Sequence, residues 1–88
     1  MKLNGTFTLR EVAGEILVIP VGKTALILNG MIILNPVSKV IWECLEKGAA
    51  YEEILKAVTD SFEVSEQEAR SDLDEFIEEL RKQDLLSE

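Results

Sequence analysis

Residues 26–36 read LILNGMIILNP: two short apolar runs around an Asn-Gly pair, closed by Asn-Pro. This stretch constrains the fold more than any other. A two-residue Asn29-Gly30 link suits a type I′ turn, because both residues tolerate positive φ. The expected element is a hairpin built from TALIL and MIIL. Leu28 then faces Met31, Ile27 faces Ile32, and Leu26 faces Ile33. Both faces of such a hairpin are apolar. One covers a core, and the other needs a helix, another chain or a ligand over it.

Upstream, residues 6–12 (TFTLREV) alternate, with Phe7, Leu9 and Glu11 on one side and Thr8 and Arg10 on the other, the pattern of a half-buried strand. Ala13-Gly14 makes a turn, and residues 15–20 (EILVIP) give a second strand that Pro20 closes. Downstream, the signals change to helix. Asn35 is placed to cap and Pro36 fits a first turn. Val37, Val40, Ile41, Cys44 and Leu45 fall on one helical face, and Gly48 suits the position after the end. Trp42 lies off this stripe and is expected against the next element. A second helix spans about 51–61, with Tyr51, Ile54, Leu55 and Val58 inward. Ser65 and Glu68 form a capping signature for a third, over about 66–83, whose inner face is Ala69, Leu73, Phe76, Ile77 and Leu80. Leu85 and Leu86 pack after it. Strands over about 6–34 followed by helices at about 36–47, 51–61 and 66–83 give one α+β domain over residues 1–88. It is winged-helix-like, with a small antiparallel β-sheet before three helices.

Chemistry-bearing residues are few. The 88 residues contain no histidine, which removes the commonest general base and metal ligand. The lone Cys44 sits in an apolar helical pattern, as a buried thiol does. No catalytic constellation, metal-ligand spacing or phosphate-cradling glycine loop is present, so the expectation is a protein that is not an enzyme and takes no cofactor or metal. The net charge is −8, and residues 63–88 carry about −7 of it, with ten acids against three cations. Such a field repels phosphate backbones and argues against nucleic acid as a partner. No apolar run approaches a membrane span, and the N-terminus lacks the apolar segment of a signal peptide. The expected location is the cytoplasm, away from membranes.

The ordered pattern resembles the PqqD-like family, whose best-known member works in pyrroloquinoline quinone synthesis and whose domains are also called precursor-peptide recognition elements. The resemblance lies in Leu34-Asn35 ending a strand, Ile41-Trp42 on the next helix, Gly48, Glu53-Ile54, Ser65, then Asp72, Phe76 and Leu80 before Leu85-Leu86. Two positions depart from the pattern. Ala50 stands where the family often has Thr as a helix cap, and Asp84 stands where it has Gly.

The resemblance implies a non-catalytic adaptor. It binds the leader segment of a ribosomally made precursor peptide as an added β-strand and presents it to a modifying enzyme, often a radical S-adenosylmethionine protein. The expected peptide-binding residues are Leu26, Ile27, Leu28, Met31, Ile32 and Ile33 of the hairpin, with Arg70, Asp72, Leu73, Phe76, Ile77 and Leu80 of the last helix. Asp72, Glu75 and Glu79 flank one side of that helix's apolar stripe, and Arg70 and Arg81, with Ile77, flank the other. Sequence leaves open which side faces the strands, and which strand is the receiving edge. The alternatives are a winged-helix-like DNA-binding domain, or a homodimeric protein-interaction domain that uses the same exposed edge.

Overall fold

The computed structural model describes residues 1–28 and 30–87. In chain order the elements are β1 (Lys2–Leu3), β2 (Phe7–Val12), β3 (Glu15–Pro20), α1 (Thr24–Ile27), β4 (Ile32–Leu34), α2 (Pro36–Glu46), α3 (Tyr51–Ser61), α4 (Glu66–Lys82) and β5 (Leu86–Ser87). The fold is α+β: an antiparallel sheet in the order β2-β3-β4, three long helices, and a two-stranded ribbon of β1 and β5.

The two segments form β2 and β3 as predicted, with alternate burial in β3, whereas β2 is half-buried over Phe7–Leu9 and exposed over Arg10–Val12. The strands meet through Ala13-Gly14, with Val12 opposite Glu15. Both turn residues have positive φ, 52° and 82°, the type I′ geometry that matches strand twist. Ile16, Val18 and Pro20 are buried along one face of β3, and Phe7 and Leu9 pack against the same core.

The expected hairpin over residues 24–34 does not form. Thr24–Ile27 is a helical turn, and β4 pairs with β3 instead, setting Ile32 opposite Val18, Ile33 opposite Leu17 and Leu34 opposite Ile16. Asn29, half of the expected turn, lies outside the described residues. Local bonds explain the turn: Ala25 N–H donates to Gly22 O, Leu26 N–H to Lys23 O, and Leu28 N–H to Thr24 O. Thr24 Oγ1 also accepts from the backbone N–H of Thr6 at 2.8 Å, fixing the segment to the approach to β2. These bonds use backbone groups that a hairpin would need. Pairing with β3 also gives β4 a partner whose buried face continues its own, through Leu34 and the half-buried Ile32.

The helices start and stop where their end residues dictate. Asn35 Oδ1 accepts from Ser38 N–H, and Ser38 Oγ accepts from Asn35 N–H, a reciprocal cap on α2. Gly48, at φ 75°, ends that helix, with Ala49 N–H bonded back to Cys44 O. Ser65 Oγ accepts from Glu68 N–H at the start of α4. Beyond α4, Asp84 N–H donates to Arg81 O and Leu85 N–H to Leu80 O, the paired bonds of a Schellman motif. Leu80 and Leu85 are both buried there.

The core lies where α2, α3 and α4 meet the inner face of the sheet. Ile41, Trp42, Leu45, Ile54, Val58, Leu73 and Leu80 are almost wholly enclosed. Trp42 packs on the strands that precede it: its ring meets Phe7 edge to face, with centroids 5.2 Å apart.

Candidate functional site

An open groove of about 440 Å³ runs between the end of the sheet and the last helix. Each wall follows from its sequence. On one side stands β4, a strand of three residues that passes directly into the Asn35 cap. Its inner edge is laddered to β3, and it ends the sheet. Among the described residues Ile32–Leu34 makes no other backbone hydrogen bond, so its outer edge keeps free N–H and C=O groups. MIIL holds neither lysine nor proline, which proteins use to blunt such edges. The floor comes from the first turns of α2, through Val37, Ser38 and Ile41. The far wall is α4, which presents Asp72, Glu75, Phe76 and Glu79. These recur at i, i+3, i+4 and i+7, one stripe along a helix.

Of the expected site residues, Ile33, Asp72 and Phe76 come together here. Ile33 is 64% exposed and Phe76 is half-buried. Met31 and Ile32 are part of the same edge segment; Met31 is exposed and Ile32 half-buried. The others go elsewhere. Leu26 and Ile27 are on α1, each 86% exposed, and Leu28 is half-buried at its end. None of these three lines the groove. Leu73 and Leu80 are core residues with no surface to offer a peptide. Ile77, a buried core residue, borders a different hollow beside Met1, Tyr51 and Arg81. Arg70 is turned toward α3, where it pairs with Glu52 at 3.1 Å and its guanidinium lies 5.7 Å from the Tyr51 ring centre.

The wall that faces β4 is therefore the acidic one. The basic shoulder of α4 belongs to the other side, where Arg70 holds Glu52 and Glu66, and Tyr51 donates to Asp74. That bond pushes the Tyr51 hydroxyl above its ordinary pKa, since ionisation would set two negative oxygens together. Sequence reasoning missed Asn35, Val37, Ser38 and Ile41 as groove residues. The Leu34-Asn35-Pro36 junction was the signal available, because a strand running straight into a capped helix brings that helix's first turn beside the strand's edge.

Elsewhere the chain offers little for catalysis. Cys44 is half-buried, and burial pushes its thiol above the ordinary range, which lowers the thiolate fraction at neutral pH. Among the described residues no group of three His, Cys, Asp or Glu side chains is placed to hold a metal ion. No helix there is long and apolar enough to cross a membrane.

A small sheet whose β4 margin is open, set beside a long helix over a part-apolar groove, defines a recognition scaffold of the kind that takes in an extended chain. The family model for coenzyme PQQ synthesis protein D matches residues 1–86, and the chain belongs to that family. The solved structure of TbiB1 in complex with the TbiA(beta) leader peptide has the same fold. It is 24% identical, with a TM-score of 0.74 over 99% of this chain and 95% of that one. A comparison with curated proteins returns no match.

Proposed function

We propose that this protein is a non-catalytic adaptor that binds the leader segment of a ribosomally made precursor peptide and hands it to a modifying enzyme. The leader docks as a fourth strand on β4. The observation that carries this is the open outer edge of Ile32–Leu34 beside the groove of Phe76. Family membership supports it, as does a like-folded protein solved with a leader peptide bound. The modifying enzyme is of the radical S-adenosylmethionine type, on the family resemblance, and the reading sets the pair in the cytoplasm, where precursors are made.

Magnitudes assign a role to the groove. A three-residue strand turns one or two residues outward, enough for about two to four backbone bonds. At about 1 kcal/mol net each, these supply roughly 2–4 kcal/mol. Micromolar binding needs about 8 kcal/mol. The remainder must come from side chains in the groove, chiefly apolar contact with Phe76 and Val37.

Proline substitution tests the edge. Successive residues in a strand direct their N–H groups to opposite sides. One of Ile32 and Ile33 therefore bonds to β3, and the other faces outward. Of Ile32→Pro and Ile33→Pro, one should unsettle the sheet. The other should fold normally yet lose binding to synthetic peptides that tile the leaders of precursors encoded beside this gene. A folded variant of each kind that keeps full affinity would refute docking on β4.

A further inference from the structure

The acidic wall specifies the charge of the occupant. We infer that the docked segment is cationic on its helix-facing side, with Lys or Arg two residues before and two residues after an apolar residue on that same side. This rests on the strand-addition reading above and adds the chemistry of the partner. Asp72, Glu75 and Glu79 line the groove, and no Lys or Arg does so. The nearby cations lie elsewhere, save Lys82, which follows Glu79 by three residues at the end of α4. Arg70 is held by Glu52 and Glu66 on the α3 side, Arg81 borders the hollow beside Tyr51, and Lys39 of α2 borders the one under Arg10 and Glu11.

The spacings agree. Asp72 to Glu79 spans about 10 Å along α4, at 1.5 Å per residue. Same-side residues of an extended strand recur at about 7 Å. An apolar side chain at position n against Phe76 therefore sets cations at n−2 and n+2 on the same side, about 7 Å to either side along the strand and within side-chain reach of the three carboxylates. An acidic segment would meet like charge along that whole length, so the wall rejects wrong leaders as well as orienting the right one.

A displayed library of random 12-residue peptides, selected separately on the protein and on the D72N/E75Q/E79Q variant, tests this. All three positions are exposed, so the variant should fold, which a thermal melt checks. Peptides selected on the unaltered protein should be enriched in Lys or Arg two residues to either side of an apolar residue. The strongest should bind the variant about tenfold more weakly. On the variant the apolar pattern should persist and the basic enrichment vanish. Enrichment with no charge bias, or with acids, overturns the cationic assignment and leaves the adaptor reading standing. Selected peptides that ignore proline at both Ile32 and Ile33 overturn both.

Discussion

Thr24 Oγ1 accepts a hydrogen bond from the backbone N–H of Thr6 at 2.8 Å, tying the first turn of α1 to the loop between β1 and β2. Gly5 is what allows this approach. A Cβ there would come within 2.8 Å of Thr24 Oγ1, and φ at Gly5 is 107°. Gly5→Ala should therefore lower stability by about 1–3 kcal/mol, through strain and a forced shift of Thr24. Thr24→Val, which leaves the Thr6 amide without its acceptor, should cost about 1 kcal/mol. Urea titrations followed by helical circular dichroism measure both. If Gly5→Ala is neutral, the close packing described for this loop is wrong.

Two residues other than glycine sit in the left-handed region: Ala13 at φ 52° and Asp84 at φ 59°. Asp84 replaces the glycine of the family pattern, at the C′ position of α4. Asp84→Gly and Ala13→Gly should each raise stability by several tenths to about 1 kcal/mol, since relief of strain exceeds the added entropy of the unfolded chain. Thermal melts of the two single variants and the double check this. The sites lie on separate elements and share no hydrogen-bond partner among the described residues, so their effects should add.

Phe76 and Leu73 separate groove from core, although both lie on the apolar stripe of α4. Leu73 is fully enclosed, and Leu73→Ala should cost about 2–5 kcal/mol of stability. Phe76 is half-buried and borders the groove. Phe76→Ala should leave most of the fold intact and weaken peptide binding about ten- to a hundredfold. Calorimetric titration beside a melt separates the two effects. Equal loss of stability in both variants would move Phe76 into the core.

Much of this architecture was readable in advance because its signals are local. The Asn35–Ser38 and Ser65–Glu68 caps, Gly48, and the alternation in β2 and β3 each lie within a few residues of what they specify. What escaped is non-local. Lys2 pairs with Ser87 and Leu3 with Leu86, and two-residue strands so far apart in sequence carry no periodicity to read. TALI is apolar enough for a strand, yet a bond from Thr6 and its own turn make it helical. Leu73, Ile77 and Leu80 share a stripe with Phe76, and only the placement of α3 and β4 decides which of them a peptide can touch. The same placement decided that the acidic shoulder, and not Arg70, faces the open edge.

Hydrogen exchange, resolved amide by amide, tests the central claim most directly. In the free protein one of the Ile32 and Ile33 amides is tied to β3, and its neighbour faces outward. Adding a library-selected peptide at a hundred times its Kd should slow exchange of the outward amide about a hundredfold. Amides on β2, the other edge of the sheet, should not change. Protection that appears along β2 or α3, with β4 unaltered, would contradict the account.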